Sequence, residues 1–220
     1  MWKRRNFNKG RGFTLIELLI VIAIILILIA IALPNFLEAQ IRAKVVQAAG
    51  NGRSIGIAME EYRIDFGFYP TDHDPDDPSQ KGLYQLTSPI EYISAVPQEP
   101  FARDSGLLGP NDELGWEMAS TGPNKIAAAV GLLPKINAFG LASFGPDLRD
   151  HFPCGDRWTI CVGPGIDPCS TGDGAAWTDY APTNGTKSIG DIMTLGGDLT
   201  SGNYCVNGWK RVSGFSQGPT

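Results

Sequence analysis

Gly12-Phe13-Thr14-Leu15-Ile16-Glu17 opens an apolar run that continues to Leu33. Five basic residues stand ahead of it, Lys3, Arg4, Arg5, Lys9 and Arg11, with no acidic one among them. The run from Phe13 to Leu33 would extend about 32 Å as a helix at about 1.5 Å per residue. That is enough to cross a hydrocarbon core of about 30 Å. Glu17 sits five places into this run and is its one carboxylate. At the centre of a bilayer an acidic side chain costs about 2.5–3.5 kcal/mol, and less near the end of a span, where it still favours a partner. An ionisable residue in such a segment points to a function beyond anchoring.

Three processing schemes fit an amino-terminal apolar run. A cleaved secretory signal could end at Ala30-Ile31-Ala32. Its apolar region would normally be about 7–15 residues, whereas this run is longer, carries a carboxylate and is followed by Pro34. A plain single-pass anchor would be indifferent to Glu17. A cut ahead of the run would remove the basic leader and keep the span.

The stretch Gly12-Phe13-Thr14-Leu15-Ile16-Glu17-Leu18-Leu19 resembles the prepilin processing motif of type IV pilins and type II secretion pseudopilins. A basic leader, Gly closing it, Phe opening the mature chain and Glu at its fifth place all match. The resemblance implies cleavage between Gly12 and Phe13 by a membrane prepilin peptidase, which then N-methylates Phe13. It implies that Glu17 pairs with the amino terminus of Phe13 on a neighbouring subunit and so sets axial register in a filament. The implied partners are that peptidase, copies of the chain itself, other pilins or pseudopilins, and inner-membrane assembly proteins. The resemblance reaches Tyr69-Pro70, where the family's long helix ends.

Charge supports the same organisation. The 220 residues carry 18 basic and 23 acidic side chains, a formal net charge of −5. Without residues 1–12, 13 basic and 23 acidic residues are left, a net charge of −10. So acidic a chain is unsuited to nucleic acid, whose phosphates call for basic surface. The positive-inside rule keeps the leader cytoplasmic and sends the rest of this single-pass inner-membrane protein outward, into the periplasm. The four cysteines, Cys154, Cys161, Cys169 and Cys205, all lie far beyond the span. In an oxidising compartment an even number suggests two disulfides, with three connectivities open; four separate buried thiols are the alternative.

Beyond Pro34, which should kink or locally melt the helix, a second helical half is expected. Leu37, Ile41, Val45, Ala48, Gly52, Ile55, Met59, Tyr62 and Phe66 recur with the period of one helix face. Gly50, Gly52 and Gly56 should soften it, each costing about 1 kcal/mol against Ala; a break into two helices is the other reading. Thr71 to Gln80 reads as a solvated acidic turn. A short helix should follow at Gly82–Leu86, with an extended turn to Phe101. Ala138–Phe144 and Ile189–Leu195 read as strands, and Ile126–Val130 as a strand or a helical turn. Cys154–Ala181 reads as a long loop, Pro182–Thr186 as a hairpin turn, and Gly214–Thr220 as a frayed tail.

The expected fold is therefore α+β, a long amino-terminal helix packed on a small antiparallel sheet with long loops. Its segments are a leader at 1–12, a membrane-spanning and filament-core helix at 13–33, an amphipathic second half at 34–67, and an exported domain at 68–220. No G-x-S-x-G, H-E-x-x-H or phosphate-cradling loop occurs, so no enzyme is expected. Ser143-Phe144-Gly145-Pro146-Asp147 and Gly190-Asp191-Ile192 resemble segments bordering a calcium loop in major pseudopilins. That resemblance makes Asp147 and Asp191 candidate calcium ligands, with Asp150 as a further one. The alternative is two unrelated turn aspartates. The expected function is a structural filament subunit of a secretion pseudopilus or a pilus. The competing class is a membrane-tethered binding domain that never polymerises.

Overall fold

The computed structural model describes residues 13–75, 77, 79–106, 108, 113–120, 122, 138–149, 176–197, 203–206, 209–212 and 215–219. The long helix α1 spans Leu15–Phe66. The chain divides into two compact units, with the boundary between Gln40 and Ile41 inside that helix. Each is described by itself.

In the first unit α1 has no core of its own. Its large apolar residues from Leu15 to Leu33 are all exposed. It is the one helix among the described residues long and apolar enough to cross a membrane.

In the second unit α1 lies on a three-stranded antiparallel sheet. Its strands are β1 (Glu117–Ser120), β2 (Ala138–Ser143) and β4 (Ile192–Gly197), in the order β1-β2-β4. The expected period is met where the helix is covered: Ala48, Gly52, Ile55, Met59 and Tyr62 are buried. At the carboxyl end of the stripe the cover stops, leaving Phe66 41% exposed. The helix runs unbroken through Gly50, Gly52 and Gly56 because two of these glycines admit the sheet. A Cβ on Gly52 would lie 2.5 Å from Thr194 Oγ1, and one on Gly56 would lie 3.3 Å from Thr194 Cγ2 and 3.6 Å from Phe139 Cζ. Close approach, rather than flexibility, accounts for them. Ile55 and Met59 complete a core with Tyr69, Leu83, Leu86, Trp116, Met118, Phe139 and Leu141, in which Tyr69 meets Phe139 edge-on at 4.9 Å.

The segment after the helix is held to β1. His73 and Met118 exchange both backbone hydrogen bonds at 2.8 Å, and Asp72 Oδ1 accepts from the Ser120 amide at 2.7 Å. The turn read as solvated is thus anchored at its start, and His73 is fully buried. A 3₁₀ helix follows at Gly82–Leu86. A Cβ on Gly82 would fall 1.5 Å from the Thr71 carbonyl oxygen, so the position admits no side chain. After the Pro97–Phe101 turn, whose Pro97 carbonyl accepts from Trp116 Nε1 at 2.7 Å, comes the one-turn helix α2 (Ala102–Ser105).

Three further expectations change. Strand β4 begins at Ile192, not Ile189, because Gly190 has φ 111° and Asp191 pairs in a parallel bridge with Asp179. Pro182–Lys187 forms a 3₁₀ helix interrupted at Gly185 (φ 61°), not a hairpin turn. The tail is a strand, β7 (Phe215–Pro219), in a second sheet. That sheet orders β3 (Ala176–Trp177), β5 (Asn203–Val206), β6 (Trp209–Val212) and β7, and includes one parallel pair, β3 with β5. Ile126–Val130 and most of Cys154–Ala181 lie outside the described residues.

Candidate functional site: the first turn of the long helix

Thr14 precedes the first helical residue, and its side chain and that of Glu17 cap each other. The Thr14 amide and hydroxyl both donate to Glu17 Oε2, at 2.8 and 2.7 Å, and the Glu17 amide donates to Thr14 Oγ1 at 3.3 Å. This is a reciprocal capping box, which satisfies two of the amides that every helix start leaves without intrahelical partners. The carboxylate also stands in the first turn, where the helix dipole favours negative charge. Within one subunit Glu17 is therefore held by its own chain. Sequence reasoning weighed the cost of the carboxylate and passed over Thr14. The signal was present, since T-x-x-E directly before an apolar run is the sequence mark of this cap.

Around the cap everything else is apolar and uncovered. Phe13 is 74% exposed and Leu15 84%. Gly12, the other half of the expected cleavage site, lies outside the described residues. The arrangement offers a hydrocarbon rod with one carboxylate fixed at its tip, four residues from Phe13.

The two candidate calcium ligands are brought to one corner. Asp147 Oδ2 accepts from the Gly190 amide at 3.2 Å, and its Oδ1 accepts from the Arg149 amide at 3.3 Å. Asp191, next to Gly190, is buried. The corner is tight: Gly145 has φ 66°, and a Cβ there would lie 2.6 Å from the Gly190 carbonyl oxygen. Asp147 thus reaches the residue just before Asp191. Among the described residues no group of three or more acidic, histidine or cysteine side chains forms a metal cluster. Asp150 lies outside the described residues, as do Cys154, Cys161 and Cys169. Cys205 is on β5, with its backbone paired to Lys210.

Glu99 is a buried carboxylate that sequence reasoning did not single out. Its side chain accepts from Ser143 Oγ and from the Phe101 amide, the latter at 2.7 Å. Burial pushes it up to about 7, against the opposing pull of these donors and of Lys44. It ties the Pro97–Phe101 turn to the end of β2, three residues before Pro146.

Comparison with known proteins bears on the first turn above all. Residues 7–33 match the family model described as the prokaryotic N-terminal methylation motif. The chain is similar to "Type II secretion system core protein G" of Escherichia coli, 28% identical over 125 residues, covering 54% of this chain and 86% of the relative. It is likewise similar to the protein of that name from Pseudomonas aeruginosa, 28% identical over 123 residues, covering 50% and 82%. A shorter similarity links it to "Type IV major pilin protein PilA" of Myxococcus xanthus, 50% identical over 54 residues and covering 24% of each chain. No solved structure matches significantly. The chain thus carries the N-terminal methylation motif at residues 7–33 and is similar to type II secretion core proteins over about half its length and to a type IV pilin over 24% of it.

Proposed function

We propose that this chain is a structural subunit of a helical filament at the inner membrane, of the type II secretion pseudopilus kind. The observation that carries the reading is the exposed apolar span with Glu17 capped at its tip. Such a helix needs cover along its whole length, which lipid supplies before assembly and other copies of the helix supply afterwards. Exchange of one apolar surrounding for another costs little. Prepilin peptidase cuts between Gly12 and Phe13 and methylates the Phe13 amine. The leader faces the cytoplasm and residues 68–220 the periplasm. In the filament the Phe13 amine of one subunit meets Glu17 of the next, alongside or in place of Thr14, with related subunits and inner-membrane assembly proteins as further partners. The secretion kind is favoured over the pilus kind because similarity to the secretion proteins extends over about half the chain, while similarity to the pilin covers 24%.

The corner at Asp147 and Asp191 would hold calcium in this proposal. Carboxylate and carbonyl oxygens are the donors such hard cations take, six to eight at a time. Two carboxylates beside a tight turn rich in carbonyls suit that chemistry, with water or further carbonyls completing the shell. The four cysteines would pair as two disulfides in the exported domain.

Glu17→Ala tests the assembly claim. The variant should insert and be processed as the wild type, because anchoring rests on the apolar run, yet give little filament. Normal filament yield would reject the role of Glu17 in register and favour a tethered domain that does not polymerise.

A further inference from the structure

At the carboxyl end of α1 four aromatic rings gather beside two exposed acidic residues. Tyr62 packs on Phe66 at 4.4 Å, on Tyr92 at 5.6 Å and on Phe68 at 6.2 Å, and Phe66 meets Phe68 at 6.1 Å. Phe66 nevertheless keeps 41% of its surface in solvent. Glu61 and Asp65 are exposed on the same last turns. Asp65 Oδ2 accepts from the Tyr92 hydroxyl at 2.7 Å. Burial and then that bond push the Tyr92 phenol up to about 12, so it stays a donor to Asp65. The helix itself ends here, and its carbonyl end carries the negative pole of the dipole. The nearby cation, Arg63, is turned elsewhere: its Nε donates to Glu60 Oε2 at 3.1 Å and its guanidinium lies 5.4 Å from the Tyr69 ring centre.

Three separate features of this patch therefore attract positive charge: carboxylates, a helix carboxyl end and the negative faces of aromatic rings. We propose that the patch around Tyr62, Phe66, Phe68 and Tyr92 is a docking surface for an arginine- or lysine-bearing peptide segment of a partner protein. A bare metal ion would use the oxygens and waste the rings. A long cationic side chain uses both, laying its stem on Phe66 and its head against Asp65 and Glu61. Charge complementarity selects a cationic segment as the occupant, because the exposed carboxylates of Glu61 and Asp65 flank the rings. The surface does not depend on whether the chain polymerises.

The test is fluorescence anisotropy of a labelled tetra-arginine peptide on the full mature chain in detergent micelles, with a tetra-glutamate peptide as control. Phe66→Leu keeps the apolar bulk and removes the π face. Asp65→Asn keeps an acceptor for Tyr92 and removes the charge. The expected result is saturable, salt-sensitive binding of tetra-arginine that weakens at least about fivefold in each variant, with melting temperatures unchanged and Glu113→Gln without effect. Absence of binding, equal binding of tetra-glutamate, or undiminished binding by both variants would overturn the proposal. So would variants that leave peptide binding intact but abolish self-association, which would identify the occupant as a second copy.

Discussion

Gly52→Ala puts the packing of α1 on the sheet under direct test. On helix propensity alone the change should stabilise by about 1 kcal/mol. The structure sets the opposite sign, because the new Cβ would stand 2.5 Å from Thr194 Oγ1. One rotation of Thr194 about χ1 only puts its methyl where the hydroxyl stood, and any other must re-seat a β-branched side chain that packs against Gly56 with its Cγ2, 3.3 Å from where a Cβ would be. Overpacking of this kind costs about 1–3 kcal/mol, leaving a net loss of about 0–2 kcal/mol after the propensity gain. For a domain of this size that lowers the melting temperature by up to about 8 °C. Thr194→Ala removes both branches, so Gly52→Ala in that background should recover the loss and show the propensity gain, a coupling of about 1–3 kcal/mol. Thermal melts of the full chain in micelles, followed by near-ultraviolet circular dichroism, measure all four corners of the cycle. A higher melting temperature for Gly52→Ala alone, or additive effects of the two changes, would refute the close approach.

Two further outcomes follow from carboxylates of the second unit. Glu99 is raised from an ordinary 4.5 to about 7, so the folded chain holds that proton more tightly than the unfolded chain does. Its contribution to stability is full below about pH 4.5 and is lost as pH rises through about 7, by about 3 kcal/mol in all. Melting temperature should fall from about pH 5 to about pH 8 and the fall should flatten in Glu99→Gln, whereas equal slopes would remove Glu99 as its source. At the Asp147 corner, excess calcium should raise the melting temperature over chelator, by about 2.7 kcal/mol of stability at a hundredfold excess over Kd. The rise should vanish in Asp147→Ala, and no rise in the wild type would end the calcium proposal.

Much of this was readable in the chain because local chemistry and packing agreed. The apolar stripe found the covered face of α1, where Ala48, Gly52, Ile55, Met59 and Tyr62 are buried, with Gly56 and Ala58 beside them. The helix end at Phe66 was marked by Gly67, which takes φ 78°. The failures share a cause, partners distant in sequence. The paired strand β7 looked like a tail because its partner β6 was not recognised. Asp72 and His73 looked solvated because the strand that binds them lies more than forty residues on. Glu99 is quiet in sequence and acquires its character only when Ser143 is folded onto it. Thr14 is the exception, a purely local partner of Glu17 whose T-x-x-E spacing alone marks the cap.

The most direct test of the central claim is mass spectrometry of the mature amino terminus, on protein isolated from membranes that contain a prepilin peptidase. The account predicts a chain that begins at Phe13, carries one N-methyl group and retains the span through Leu33. A chain that still begins at Met1, or one that begins at Leu33 after loss of the span, would contradict it.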